Sequence, residues 1–258
     1  MAEQHGAVVE LGVRVDALQQ RASHVDVAFE DGRRDLFDLV IGADGTQSSV
    51  RAWICPEASA SYTGHMSFRW LARAGVQPTV GYHSAGPGVV VVIGRLPERV
   101  TSVAVGVDMA QRSVDPLEAR SIVASALAQV AEPGFAELRA VLDAQQRILV
   151  RPFEWIFVPP PWHRGQIVLI GDAAHSAAPH LPAGTGMALE DACVLGQELA
   201  RRSGLSTALD AFAARRAART RCVVEAGLKL LELQRALADR QSIAEARRTA
   251  LELLATPY

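Results

Sequence analysis

The stretch Gly165-Gln-Ile-Val-Leu-Ile-Gly171-Asp172-Ala-Ala-His175 decides the fold, because an apolar run ends abruptly in a glycine and an aspartate. Such a run predicts a buried strand of an α/β sheet, and these sheets bind ligands at the carboxyl ends of their strands. Gly171 would let a ligand approach the backbone closely, and the Asp172 carboxylate could accept hydrogen bonds from a polyol chain or a ribose. The stretch therefore predicts a ligand site at the end of this strand.

The loop after this strand predicts a second wall of the same site. Pro179 stiffens the loop, while Gly184 and Gly186 allow tight turns before a helix predicted to start near Gly186. The unpaired N–H groups and the positive dipole end of that helix would point back at the site, where a ring that gains negative charge on reduction is favoured. Glu190 and Asp191 are expected to stabilise the first turn of the helix rather than take part in chemistry.

A second segment, Asp38-Leu-Val-Ile-Gly42-Ala-Asp44-Gly45, repeats the pattern of an apolar strand that ends in glycine and aspartate. The run fits a strand buried on both faces, and Ser48 or Ser49 could cap a short helix after it. Either segment alone is a weak signal, since Gly-Asp after an apolar strand is common in α/β proteins. Together, in this order and about 125 residues apart, they are specific.

The rest of the chain predicts an antiparallel sheet followed by helices. Strands are predicted at 8–11, 14–18, 25–29, 68–76, 88–96, 101–108, 147–150 and 166–170. Asp115 as cap and Pro116 at the first helical position predict a helix to Gln129, and a shorter helix is predicted over 135–142. The last segment is predicted to be helical to its end, with Arg215, Arg216, Arg219 and Arg221 on a solvated face or at an interdomain contact.

Composition excludes several classes of function. The formal charge of −2 gives no electrostatic case for nucleic acid or an anionic membrane, and no run approaches the roughly 18 apolar residues of a membrane span. The N-terminus lacks the pattern of a signal peptide, so a cytoplasmic protein is expected. His175 has no second ligand at metal spacing and is expected to pack under a loop, so no metal site is predicted.

The two strand-end segments resemble the flavin-dependent monooxygenases of the p-hydroxybenzoate hydroxylase type. Asp44-Gly45 matches the DG motif of that family and Gly171-Asp172 matches its GD motif, within a resemblance that runs from about residue 1 to about residue 230. It implies an α/β (α+β) fold, in which an incomplete, Rossmann-like FAD-binding domain carries an inserted antiparallel-sheet domain. The implied domains are residues 1–55 with the DG motif, 56–158 with the substrate sheet, 159–205 with the GD motif, and the helical segment 206–258.

The resemblance also assigns cofactor contacts. Asp172 would hold the ribityl chain of FAD, and Pro179 would lie beside the isoalloxazine ring. Asp44 and Gly45 would lie near the pyrophosphate and shape the path for NAD(P)H. Arg69 could reach a substrate or flavin pocket, or could be an exposed strand arginine. The remaining implied contacts are with the pyrimidine edge of the flavin and come from the backbone of Gly184, Thr185, Gly186 and Met187.

The implied activity is hydroxylation of a small aromatic or related substrate, in which FAD supplies the redox chemistry with NAD(P)H and O₂. The sequence departs from the family in one respect, because it contains no Gly-x-Gly-x-x-Gly. We therefore expect a truncated form with weak FAD affinity and exposed apolar edges at the two motif strands. The alternative is an inactive or partner-dependent module with weak or no FAD binding. A reductase or halogenase on the same scaffold also remains open.

Overall fold

The structure is a computed structural model that describes residues 3–73, 75–76, 78–142, 147–201, 204–236 and 239–258. It mixes α-helices with mostly antiparallel sheets and ends in long helices, which confirms the predicted fold class. The strands are β1 (Val15–Gln20), β2 (Val25–Phe29), β3 (Arg34–Phe37), β4 (Val40–Gly42), β5 (Ser61–Ala72), β6 (Gly81–Ser84), β7 (Val89–Leu96), β8 (Val100–Asp108), β9 (Leu149–Trp155), β10 (His163–Arg164) and β11 (Ile167–Leu169). The helices are α1 (Ser49–Ile54), α2 (Pro116–Ala128), α3 (Phe135–Ala140), α4 (Asp172–His175), α5 (Gly184–Ala200), α6 (Leu205–Arg235) and α7 (Arg240–Leu254).

The two motif strands lie side by side in a small sheet of order β10-β11-β4. Strands β11 and β4 run parallel, with Val168 opposite Ile41 and Leu169 opposite Gly42. Because parallel strands end at the same edge of a sheet, the DG and GD motifs meet there. Gly42 is required at this edge, since a Cβ atom would come within 2.7 Å of Val50 Cγ1.

A five-stranded antiparallel sheet of order β6-β7-β8-β5-β9 makes up the centre of the chain. Its apolar face packs on α2 and α3, where Phe68, Val105, Val123 and Leu138 are fully buried. Asp115 caps α2 by accepting hydrogen bonds from the N–H groups of Leu117 and Glu118, as its sequence predicts. This sheet forms one wall of the cavities described below.

Helices α5, α6 and α7 pack against one another at the end of the chain. Leu181, Met187, Val223 and Leu230 form a small core between the loop before α5 and the two later helices. No helix in the described part of the chain is both long and apolar enough to cross a membrane.

Several local expectations are wrong. Residues 8–11 form no strand, and the side chains of Val8 and Leu11 are largely exposed. No described strand pairs with this segment, so its apolar residues are not buried in a sheet. The unexpected strand β3 instead continues the hairpin after β2, although all four of its residues are exposed. Strand β4 is not buried on both faces, because Ile41 is exposed.

Candidate functional site

Two loops meet where β4 and β11 end, and direct contacts hold them together. The hydroxyls of Thr46 and Ser176 lie 2.8 Å apart. The buried Arg51 side chain donates from Nη1 to the Ala173 carbonyl at 3.0 Å and from Nη2 to the Thr46 carbonyl at 2.6 Å. An arginine can link two loops in this way, because the Nη1 and Nη2 groups of its guanidinium each donate a hydrogen bond to the backbone of a different loop. We call residues 44–48 the DG loop and residues 171–183 the GD loop.

The Asp44 carboxylate is used inside the DG loop. Its Oδ1 accepts from Ser48 Oγ at 2.5 Å, and its Oδ2 accepts from the N–H groups of Ser49 at 2.8 Å and Val50 at 3.1 Å. Although desolvation acts to raise it, these hydrogen bonds hold the pKa of Asp44 below its ordinary value. Ser48 is the cap residue of α1, as predicted, and accepts from the N–H of Arg51. Asp44 therefore stabilises the start of α1, and its predicted contact with a cofactor stays a prediction.

Asp172 stands in a different environment. No described side chain or backbone group donates a hydrogen bond to its carboxylate, which reaches solvent and faces the start of α5. A Cβ atom placed on Gly184 would lie 3.7 Å from Asp172 Oδ1. Desolvation by the surrounding protein raises the pKa of Asp172, although the nearby His175 acts to lower it. The carboxylate is thus available to a ligand that offers hydroxyl donors.

The first turn of α5 carries no side-chain cap. Its N-terminal residue lies at Gly184, two positions earlier than predicted, and Thr185 and Gly186 are exposed. The N–H of Met187 is the first to bond within the helix, to the Ala183 carbonyl at 3.0 Å. The preceding N–H groups and the positive end of a 17-residue helix are therefore available for electron-rich or anionic atoms.

A buried ion-pair network links the start of the GD loop to helices α5 and α6. Asp191 Oδ2 accepts from the Gly171 N–H at 2.8 Å and lies 2.6 Å from His175 Nε2, and its Oδ1 accepts from Arg216 Nε at 2.7 Å. Asp191 and Arg216 are fully buried. Burial acts to raise the pKa of Asp191, but His175, the Gly171 N–H and Arg216 together lower it. Gly171 itself has a φ of +57°, and a Cβ there would meet Ala188 Cβ at 2.9 Å.

This network corrects two sequence expectations. Glu190 and Asp191 lie in the second turn of α5, not the first, and they pair with arginines of α6 rather than with the helix dipole. Arg216 and Arg219 belong to no solvated face, since Arg216 is fully buried and Arg219 nearly so. His175 does pack under the loop, but as an ion-pair partner. The sequence does show acids on one predicted helix and arginines on the next. Which acid pairs with which arginine depends on how α5 and α6 pack against each other, and local sequence patterns do not give that.

The predicted flavin neighbour Pro179 lines a cavity of about 140 Å³ between the GD loop and the five-stranded sheet. Arg69 and Phe153 of the sheet and His180 of the loop also line it. The Arg69 guanidinium lies 5.5 Å from the centre of the Phe153 ring and donates to Ser67 Oγ. Arg69 therefore lines a cavity and is also exposed to solvent, so neither of its two sequence interpretations is excluded.

The structure brings most of the predicted cofactor residues to one edge. Gly171 and Asp172 follow β11, Gly184 lies next to the Asp172 carboxylate, and Thr185 and Gly186 continue the first turn of α5. Met187 is buried, and its sulfur lies 3.6 Å from Arg216 Nη2, so only its backbone could face a ligand. Gly45, which follows Asp44 in the DG loop, has a φ of +81° and open space where a Cβ would stand.

The residues present fit a flavin with its ribityl chain. An acceptor carboxylate without a protein partner suits polyol hydroxyls, and an uncapped helix start suits the pyrimidine edge of a flavin ring. The glycines at Gly171 and Gly184 allow a ligand to approach the backbone. These residues therefore offer donors and acceptors of the kinds that the resemblance implies for a flavin, and the individual contacts stay predictions.

Comparison with known proteins agrees with this fit. A family model described as FAD binding domain matches residues 1–227. Aurachin C monooxygenase/isomerase of Stigmatella aurantiaca is 32% identical over 220 residues, which cover 81% of this chain and 55% of that protein. The 3-amino-4-hydroxybenzoate 2-monooxygenase of Streptomyces cremeus is 32% identical over 203 residues, covering 77% and 50% of the two proteins. These matches confirm the predicted resemblance to FAD-dependent aromatic monooxygenases.

Solved structures show the same fold. The crystal structure of Klebsiella pneumoniae HpxO complexed with FAD and uric acid has a TM-score of 0.74 and 27% identity, and the match covers 94% of this chain and 62% of that one. The chain spans about half the length of the two curated relatives described above.

Proposed function

The chain belongs to the FAD binding domain family, and we propose that it forms the flavin-ring and substrate side of an FAD-dependent monooxygenase. The proposed reaction is hydroxylation of an aromatic substrate, with O₂ as co-substrate and NAD(P)H as reductant. The observation that carries the proposal is the meeting of two strand-end motifs at the uncapped start of α5. The similarity to the two monooxygenases described above supports the reaction type.

The cofactor supplies the redox chemistry when it is bound, and the protein supplies orientation and electrostatics. Asp172 would accept hydrogen bonds from the ribityl hydroxyls and would hold that chain of the cofactor. The N–H groups at Gly184 to Gly186 favour negative charge on the pyrimidine edge of the ring. Pro179 and His180 of the GD loop line the 140 Å³ cavity, which would hold the substrate ring.

The alternative, an inactive or partner-dependent module, has less support. Arg51, the Thr46–Ser176 contact and the Asp191 network hold both loops in place within this chain.

The test is a titration of the purified protein with FAD, followed by flavin fluorescence, for the wild type and for Asp172→Ala. We expect Asp172→Ala to weaken FAD binding by roughly 10- to 100-fold, because hydrogen bonds to a charged group contribute about 1.5–3 kcal/mol. The free energy of unfolding should change by less than about 0.5 kcal/mol, since no described residue donates a hydrogen bond to the Asp172 carboxylate.

Asp115→Ala is the matched control, because Asp115 also begins a helix but lies on the sheet side of the molecule. Its loss should cost about 1 kcal/mol of stability and leave FAD affinity unchanged. Equal FAD affinity in Asp172→Ala and the wild type would contradict the assigned site. A wild-type protein that binds no FAD would favour the inactive or partner-dependent module.

A further inference from the structure

A second cavity of about 500 Å³ lies next to the 140 Å³ cavity beside Pro179. Tyr82, Val90 and His180 line both cavities, so these three side chains stand between the two spaces. We call the smaller space the inner cavity and the larger one the outer cavity. The outer cavity lies between β6 and the helices α6 and α7, away from the strand ends.

His180 stands at the junction with both ring nitrogens unpaired. It is 5% exposed, and neither Nδ1 nor Nε2 has a hydrogen-bond partner among the described residues. Its ring lies 5.3 Å from the His65 ring and 6.1 Å from the Phe153 ring, centre to centre. Burial, together with the neighbouring His65 and Arg235, lowers the pKa of His180 to about 4. At neutral pH the imidazole is therefore uncharged, so one nitrogen donates a hydrogen bond and the other accepts one.

The outer cavity offers further unpaired donors. Gln234 Nε2 and Arg247 Nε are buried atoms without a hydrogen-bond partner in the described part of the chain. The Arg247 guanidinium lies 4.6 Å from the centre of the Tyr82 ring, and no ion pair joins it to a described carboxylate. The lining acid Glu132 lies against His83, with Oε1 3.0 Å from Nδ1. Buried donors without partners are costly, so a ligand that supplies acceptor atoms would be stabilised here.

The volumes suggest how a ligand divides between the two spaces. A cavity of roughly 150 Å³ lined by apolar side chains can hold a benzene ring, so the inner cavity has room for one aromatic ring. Phe153 and Pro179 give that space flat apolar walls. The outer cavity, at about 500 Å³, falls in the ordinary range for small-molecule sites and is too large for a lone substituent such as a hydroxyl.

We infer that the two cavities form one substrate site, which takes an aromatic ring carrying an extended side arm that ends in a carboxylate or similar anion. The ring occupies the inner cavity, the arm passes His180, and the anionic end binds Arg247 and Gln234. His180 acts as a positioning residue, because it can donate to or accept from a polar group where the arm joins the ring. The inference rests on the proposed function for the ring position and adds the substrate class.

The probes are a series of ω-(4-hydroxyphenyl)alkanoates, from 4-hydroxybenzoate to 4-hydroxyphenyl acids with long alkyl chains, and the primary amide of each. Binding to the purified protein is measured by calorimetry, which requires no turnover. We expect affinity to rise along the acid series, and a long acid to bind about tenfold more tightly than its amide, because only the acid forms a charge-assisted pair with Arg247.

Variants assign the effect to the residues. Arg247→Gln should remove the preference for acid over amide, whereas Arg248→Gln should keep it, because Arg248 lies on the same helix with an exposed side chain. His180→Phe should weaken binding of every acid, and His180→Asn should restore part of it. No acid preference in the wild type, or an unchanged preference in Arg247→Gln, would overturn the inference.

The same variants separate this inference from the proposed function. Arg247→Gln should bind FAD as the wild type does, since Arg247 lies on α7 and lines the outer cavity. If the wild type shows the acid preference but binds no FAD, the proposed monooxygenase falls and the ligand site stands. If FAD binds and all probes bind equally, the proposed function stands and the extended substrate class is wrong.

Discussion

The DG loop and the GD loop follow the same sequence pattern but use their aspartates differently. Each comes after a short strand, contains Gly and Asp, and leads into a helix. Asp44 accepts four hydrogen bonds from Ser48, Ser49 and Val50, so its carboxylate is satisfied within the loop. Asp172 accepts none from the described residues and faces the start of α5. The comparison shows that a shared motif does not fix a shared role, because the supply of local donors decides what the carboxylate binds.

A second difference explains how Asp172 is left available. The GD loop also needs an acceptor for its backbone, and Asp191 provides it from α5 by binding the Gly171 N–H. In the DG loop the motif aspartate Asp44 accepts the backbone hydrogen bonds, whereas in the GD loop Asp191 accepts the bond from the Gly171 N–H. The carboxylate of Asp172 is therefore available to a ligand.

The largest expected effect comes from removing that supporting acid. Asp191→Ala would leave the buried His175 and the Gly171 N–H without their acceptor and Arg216 with Glu190 alone, and we expect a loss of about 3–5 kcal/mol in the free energy of unfolding. Urea denaturation would measure it. Asp191→Asn keeps the shape and one of the two acceptor oxygens but removes the charge, so its loss should be smaller than that of Asp191→Ala. A loss below about 1 kcal/mol for Asp191→Ala would show that the network does not support the loop.

Asp44→Ala should have a smaller effect on stability. The change removes acceptors from the first turn of α1, which typically costs about 1–2 kcal/mol. FAD affinity should change less than in Asp172→Ala, because the Asp44 carboxylate is already occupied by protein donors. Thermal or chemical denaturation together with FAD titration checks both statements. If Asp44→Ala weakened FAD binding as much as Asp172→Ala without changing stability, the contrast between the two aspartates would be wrong.

Sequence reasoning reached the features that depend on neighbouring residues. The Ser48 cap, the Asp115 cap with Pro116, and the two motif strands are local patterns, and the structure contains all of them. Sequence reasoning did not find the features that depend on contacts between elements far apart in the chain. The Asp191–Arg216 pair joins two helices, and His180 becomes a cavity residue only because β6, α6 and α7 converge around it. Residues 8–11 have an apolar pattern suited to a strand, but no described strand pairs with them.

The smallest expected effect tests whether the two loops act together. Thr46 and Ser176 are the one direct side-chain contact between hydroxyls of the DG and GD loops among the described hydrogen bonds. In a double-mutant cycle with Thr46→Val and Ser176→Ala, we expect a coupling energy of about 1 kcal/mol, the usual net value of a protein hydrogen bond. Thr249→Val, at an exposed position of α7, paired with Ser176→Ala serves as the distant control and should be additive. A coupling near zero at Thr46 and Ser176 would mean that Arg51 and the β4–β11 pairing alone align the loops, and that the two aspartates can be treated as independent sites.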